Sequence, residues 1–373
     1  MTAPIPAARK SRAGIVSKLV LSLLPAAGFV WVLRSGSLPI VPSQAELARV
    51  VPGTIPLYIG VWCVMYAIRL SRWYWLLAPV QRVPLRAVLR VGGVGLMAIA
   101  LSPFRMGEVV RPLLIRRAPK LTFWAASGTV GGERVIDALS VSVLLLTALH
   151  LAVPHDPLPD HLGTLPLNVA IVPKMAIVSS LIFASAVAVM GLFYFQRAWA
   201  RRTTERVLGL VSPRFATWVA GKIEQMAEGL GFLAEPKNAL PFLFATLVYW
   251  ALNAATWWLL ARGCGLGSIG FWGATATMGV VALGILVPAT PGFFGAFQFA
   301  TFAGLSMYFA PDVVMGQGAV YAFLGYVLPI GMTMLVGIVS VLASPRALLL
   351  LTSPSDSVGA SVAENLPGSN PAG

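Results

Sequence analysis

Three stretches of this sequence place polar or backbone-shaping residues where chemistry is feasible. The first is Ser102-Pro103-Phe104-Arg105-Met106-Gly107-Glu108-Val109-Val110-Arg111-Pro112. Arg105, Glu108 and Arg111 recur every three residues, so on a helix they share one face as a stripe of mixed sign with surplus positive charge. Such a stripe can hold a phosphate; a solvated loop with ordinary basic residues is the plainer reading. The second stretch is Gly131-Gly132-Glu133-Arg134-Val135-Ile136-Asp137-Ala138, with Arg134 and Asp137 at i,i+3 and Glu133 and Asp137 at i,i+4. These charges lie inside an apolar run. Charge in such a run is expensive and must face a protein interior or a wet cavity. If the two carboxylates meet the stripe at 105–111, the site is nearly balanced when empty, and an anionic group can exchange for a carboxylate partner. A salt-bridge network that only ties helices together is the alternative.

The third stretch is Pro288-Ala289-Thr290-Pro291-Gly292-Phe293-Phe294-Gly295-Ala296-Phe297-Gln298. Proline costs little at a helix start, because its missing N–H would be unpaired there anyway. Gly292 and Gly295 let backbone approach closely. A half-helix beginning near Gly292 would present free N–H groups, which attract an anion without a charged side chain. Gln298 is its one strongly polar side chain. A kinked helix pair with Gln298 bonded to a neighbour is the competing reading. Arg69 and Arg72, beside Trp73, Tyr74 and Trp75, read as an interface belt with arginines reaching to head groups. Lys174 either snorkels to the outer interface or lines a path. His150, His155 and His161 have no metal-ligand spacing. There is no Walker sequence, zinc pattern or nucleotide-binding glycine loop. No cofactor or metal is expected, and ATP-driven transport by this chain alone is not expected either.

The elements that carry these stretches follow from composition. Apolar residues make up 57% of the 373 residues and charged residues 11%, against about 25% charged in soluble domains; the mean hydropathy is +0.81. Cys63 and Cys264 cannot form a disulfide framework. A secreted, disulfide-stapled domain and a cytosolic enzyme with a polar surface are both excluded. The expected fold is an all-α polytopic membrane protein. Runs of the roughly 20 residues needed to cross a bilayer occur at about 18–33, 55–77, 121–152, 167–195, 240–260 and 319–342. The first follows Arg9, Lys10, Arg12 and Lys18 and is read as a retained span. The run 91–101, with Gly92, Gly93 and Gly95, is too short to cross. Two further pieces, 269–287 and 293–309, are separated by prolines.

Basic loops set the orientation. Lys and Arg concentrate at the start, at 82–120, at 197–222 and at Arg346, whereas 35–54, 153–167 and 310–316 are nearly free of them. Both termini are therefore expected in the cytoplasm of a multi-pass protein of the cell membrane. On that count 267–309 enters and leaves on the outer side as a re-entrant pair, and 91–101 dips from the inner side. The expected architecture is a helical bundle with re-entrant half-helices, with an inverted repeat allowed by the topology though no residue-level repeat is visible. Transporters build sites from such broken helices. The expected organisation is a cytoplasmic segment at 1–15, a transmembrane domain at 16–350 with an amphipathic cytoplasmic connector at 197–236, and a disordered tail at 351–373. In the connector, Phe215, Val219, Ile223, Met226 and Leu230 form an apolar stripe, which suits a helix lying on the inner surface or one packed on the bundle. The net charge of +14 is spread over the inner loops, so anionic lipid accounts for it better than nucleic acid.

Taken in order, Arg69 with Arg72-Trp73, the segment from Pro103 through Glu108 and Arg111 to Pro112, Glu133-Arg134 with Asp137, and the segment from Pro288 to Gln298 resemble the flippase-like membrane family that includes the transmembrane region of lysylphosphatidylglycerol synthases. The resemblance covers roughly 15–350. It implies a polytopic bundle with re-entrant helices that moves lipid between leaflets. The family often carries a Glu where this chain has Gln298. The synthases add a catalytic domain, and the chain continues for only 27 residues beyond Arg346, so synthase activity is not expected. The resulting expectation is translocation of a polar-head-group lipid without covalent chemistry: an anionic or aminoacylated phospholipid, or an isoprenoid-linked lipid. The head group would sit among Arg105, Glu108, Arg111, Glu133, Arg134 and Asp137, beneath the half-helix at Gly292 and Gly295, with Gln298 selecting by hydrogen bonding. A second copy of the chain or a separate lipid-modifying enzyme is a candidate partner. A lipid-modifying enzyme and a structural membrane subunit are the alternative functions.

Overall fold

The computed structural model describes residues 31, 39–102, 107–116, 121–162, 165–166, 169–210, 212–286 and 291–343. The expected first span at 18–33 (Trp31 apart), the segment 1–15, the tail 351–373, Arg105 and Pro288 lie outside the described residues.

The described residues are helical almost throughout. A short helix, α1 (Gln44–Leu47), is closed by a capping box in which Ser43 and Glu46 satisfy each other's backbone N–H. α2 (Thr54–Ser71) runs into α3 (Trp73–Leu77) through Arg72, which keeps helical backbone angles. α4 (Leu85–Leu101) and α5 (Val110–Ile115) precede the long α6 (Phe123–Leu151), whose N-cap Thr122 accepts the Ala125 N–H at 3.0 Å. A two-residue antiparallel pair, β1 (His161–Leu162) with β2 (Leu165–Pro166), is the only strand pairing among the described residues. α7 (Ile171–Phe195), α8 (Arg197–Gly209) and α9 (Pro213–Glu228) lead through a 3-10 turn, Gly231–Ala234, to α10 (Pro236–Gly263). The chain then forms α11 (Gly270–Gly284), α12 (Ala296–Ser306), α13 (Pro311–Met315) and α14 (Gln317–Leu342).

Among the described residues, six segments are long and apolar enough to cross a membrane: Thr54–Leu77, Phe123–Leu151, Ile171–Phe195, Pro236–Gly263, Gly267–Gly284 and Pro311–Leu342. The protein is thus an all-α polytopic membrane bundle. One of these differs from the sequence reading. The stretch 269–287 was expected as a half-helix, yet the segment ending in α11 is long enough to cross, while α12 has 11 residues and is not.

The bundle is assembled by close pairings: α2 along α10, α4 along α14, and α6 against α7, α9 and α11. Without a hydrophobic driving force between helices in lipid, small residues at crossings let backbones approach and dispersion do the holding. α4 and α14 illustrate this. A Cβ on Gly93 would stand 2.3 Å from Ser340 Oγ, and one on Gly337 would stand 2.3 Å from Met97 Cβ. The connector differs from expectation in its face. Ala216, Ala220 and Ala227 are the buried residues of α9; of the expected stripe, Leu230 just beyond the helix is buried, Val219, Ile223 and Met226 are half-buried, and Phe215 is exposed. The alanines permit tight docking on α6, so α9 packs onto the bundle.

Candidate functional site

α6 carries Glu133 ten residues and Asp137 fourteen residues beyond Phe123, or about 15 and 21 Å along a helix rising 1.5 Å per residue. Both side chains are buried. The i,i+4 spacing points them the same way, and the elements around them supply guanidiniums. Arg72, at the α2–α3 junction, is wholly buried; its two terminal nitrogens each donate to one Asp137 oxygen, and Nη2 also donates to Glu133 Oε1 at 2.9 Å. It also donates to Thr246 Oγ of α10 at 3.4 Å and lies 4.7 Å from the Tyr249 ring centroid. Arg111 of α5 donates to Glu133 Oε2 at 2.8 Å. Arg134 bonds Glu133 at 2.7 Å and pairs with Asp137 at 3.1 Å. Five side chains from three elements therefore close one network, with three guanidiniums against two carboxylates. Each charge has an oppositely charged partner, with one positive charge in surplus, in a setting where an unpaired one would be expelled or neutralised.

The network has a floor. The Arg111 guanidinium lies 4.2 Å above the Trp73 ring, and the Trp73 indole N–H donates to Thr129 Oγ at 2.9 Å. Arg111 reaches Glu133 across α4 at Gly95, where a Cβ would fall 2.2 Å from the Arg111 Cγ. The preceding turn is organised locally. The Ser102 hydroxyl accepts the Gly107 N–H at 2.8 Å and donates to the Ala98 carbonyl at 2.7 Å, and Gly107 lies against the backbone of Ala98 and Ile99.

Beside the network lies a cavity of about 400 Å³. At its charged end its walls include Arg69, Glu108, Arg134 and Asp137. Aromatic residues of α2 and α10, among them Tyr58, Trp62, Tyr249 and Trp257, line the remainder, together with Gly292, Phe293 and Tyr326. The turn that brings Gly292 here uses left-handed backbone at Gly292 (φ 66°), Phe293 (φ 62°) and Gly295 (φ 86°). Gly292 also faces the Tyr326 hydroxyl and the Ala100 carbonyl, which leaves no room for a side chain without movement.

The structure therefore brings Glu108, Arg134, Asp137 and Gly292 to one cavity and holds Arg111 and Glu133 directly behind it. It does not bring every expected residue there. Arg111 pairs with Glu133 rather than sharing a stripe with Glu108. Gln298 is buried, and its Oε1 accepts the Gly295 N–H at 2.7 Å, so that oxygen caps α12 instead of facing the cavity. Gly295 is the N-cap of that helix. Lys174 is exposed at the start of α7 and is not a cavity residue. The interface-belt reading of Arg72 and Trp73 is corrected. Both are 0% exposed, because the carboxylates of α6 and the Thr129 hydroxyl satisfy them inside the bundle. Arg69 faces the cavity. The aromatic residues of α10 were not singled out from the sequence. Their visible signal is the spacing of Tyr249, Asn253 and Trp257 at one helical turn each.

Residues 15–349 match a family described as the lysylphosphatidylglycerol synthase TM region. No curated protein and no solved structure matches.

Proposed function

Since the chain belongs to the family of the lysylphosphatidylglycerol synthase TM region, a flippase-like region, we propose that it carries a polar-head-group lipid between the leaflets of the cell membrane. The observation that supports this most is the cavity: charged at one end, aromatic along the rest, and enclosed by helices long and apolar enough to span. A head group needs polar partners to leave water, while its acyl chains gain nothing by leaving lipid. The head group enters the charged end, and the tails remain in the bilayer through a lateral opening.

Each residue then has a task. Glu108, Arg134 and Asp137 meet the head group. Arg111, Glu133 and Arg72 hold the latter two in place from behind, so that the polar wall costs no rearrangement when a lipid arrives. Gly292 brings backbone to the opposite wall, and Gln298 fixes the turn that Gly292 begins. The substrate class is an anionic or aminoacylated phospholipid, or an isoprenoid-linked lipid. The termini and the basic connector lie in the cytoplasm, and α4 and the α11–α12 pair enter from opposite sides, an arrangement that suits an inverted repeat.

Transport is tested by reconstituting the protein in vesicles whose lipids carry a fluorophore on the head group. A membrane-impermeant quencher then reports the rate at which inner-leaflet label becomes accessible. Wild type should exceed empty vesicles for at least one of the three lipid classes. Glu108→Gln should slow it by roughly tenfold, the scale of one charge-assisted hydrogen bond. Rates equal to empty vesicles for anionic, aminoacylated and isoprenoid-linked lipids alike would end the reading. Full transport by a Glu108→Gln, Arg134→Gln double variant would leave the charged cluster a purely structural role.

A further inference from the structure

Among the described residues, the charged end of the cavity holds one cation that the ion network does not use. Among the described residues, Arg72, Arg111 and Arg134 all donate to Glu133 or Asp137. Arg69 is in none of these pairs. Its Nε is buried and has no hydrogen-bond partner, and its guanidinium lies 5.7 Å from the Tyr249 ring centroid. Across the described residues in and behind the cavity there are four arginines (69, 72, 111, 134) and three carboxylates (Glu108, Glu133, Asp137), so the set carries one positive charge in excess.

Its setting on α2 is specific. Tyr58, Trp62, Tyr66 and Arg69 follow one another at three to four residues and all line the cavity. Trp62 and Tyr66 are stacked with ring centroids 4.2 Å apart. The Tyr66 hydroxyl, one turn before Arg69, is likewise buried, with the Thr333 side chain of α14 beside it. A guanidinium inside an apolar bundle is retained when something completes it. Its planar fork matches two oxygens of a phosphate, and a neighbouring hydroxyl adds a third donor. The network arginines already give terminal nitrogens to carboxylates.

We propose that Arg69, with the Tyr66 hydroxyl beside it, is the phosphate-binding pair of the cavity, and that it favours ligands bearing a phosphate oxyanion over phosphate-free ones. This rests on the head-group reading above and deepens it. Arg69 holds the phosphate, while Asp137 and Glu108 face the rest of the head group. From Arg69 the aromatic face of α2 continues to Tyr58, about 16 Å away along the helix.

The test uses the purified full chain in detergent and its own fluorescence, since Trp62, Trp250 and Trp257 line the cavity. Dihexanoyl phosphatidylglycerol, dihexanoylglycerol and inorganic phosphate are titrated separately. The phosphatidyl lipid should give a saturable change, dihexanoylglycerol none, and phosphate should compete with the lipid. Arg69→Gln should weaken lipid binding by roughly tenfold or more, the scale of a charge-assisted bidentate contact. Its melting temperature should match wild type, because no ion pair is lost. Arg69→Lys keeps the charge without the fork and should bind at an intermediate level; binding by Arg69→Lys equal to wild type would overturn the fork even if Arg69→Gln failed to fold. Lipid binding by Arg69→Gln equal to wild type would overturn the assignment of Arg69 and leave the head-group reading standing. Saturable binding of dihexanoylglycerol would overturn phosphate selection. Binding of inorganic phosphate alone, lost in Arg69→Gln, would keep the anion site and overturn the lipid as its source. Absence of any binding by wild type would overturn both readings together.

Discussion

Arg111 shows how much depends on a single missing atom. Its stem crosses α4 at Gly95, and a Cβ there would occupy the path of the Arg111 chain. Gly95→Ala should displace the arginine and leave Glu133 short of one partner. The expected loss is about 1–3 kcal/mol, the usual scale of overpacking, seen as a lower melting temperature in detergent. Glu133→Gln is more severe because it leaves the Arg72, Arg111 and Arg134 guanidiniums facing a neutral group, and breaking a buried pair from one side costs about 3–5 kcal/mol. A Glu133→Gln protein with wild-type stability would mean that the network does not hold the bundle. Glu133, Arg134 and Asp137 were legible in the sequence because charge inside an apolar run has few explanations. Arg72 was not. An arginine followed by Trp-Tyr-Trp at the end of a span has the composition of an interface belt, and only the tertiary partners on α6 turn it inward. Gln298 was legible as a buried polar group but not in its task, since its partner is a backbone N–H three residues before it.

At the scale of the element, helix positions could be read from apolar run lengths, and the observed bounds of α2, α6, α10 and α14 lie close to those runs. Which face each helix buries was harder to read. α9 presents two candidate stripes, and the bundle takes the alanine one because contact with α6 is limited by backbone distance, not by apolar area. A Cβ on Gly128 would come within 2.0 Å of the Met226 carbonyl oxygen, and one on Gly229 within 2.1 Å of the Ala125 carbonyl oxygen. Gly128→Val should therefore lift α9 from α6. The measurable result is faster proteolysis within 197–236 and faster amide exchange in α9, with α10 and α14 unchanged. Equal protection of α9 in wild type and Gly128→Val would show that this crossing is looser than the backbone contacts imply. The same limit explains α4, whose glycine face looked from the sequence like a short dip. Set against α14, that face becomes part of a 17-residue helix.

At the scale of the whole molecule, the asymmetry of basic loops makes an orientation prediction. In a Cys63→Ser background, an impermeant maleimide applied to intact cells should label His155→Cys at once and Arg206→Cys only after permeabilisation. Cys264 is buried and should stay silent. The opposite pattern would invert the protein in the membrane and move the charged end of the cavity to the other leaflet. The orientation expectation rests on loop charge alone, whereas the cavity was readable only in outline because its aromatic wall is shared among helices distant in sequence. The closed ionic network has one more consequence, for biosynthesis. A charged residue entering the bilayer at a helix centre costs roughly 2.5–3.5 kcal/mol on insertion scales. Arg72 and Arg111 leave the ribosome before Glu133 and Asp137, and Arg134 emerges between the two acids. Each carboxylate thus enters the membrane after a guanidinium able to neutralise it, and the acidic helix is never stranded while the chain is still growing.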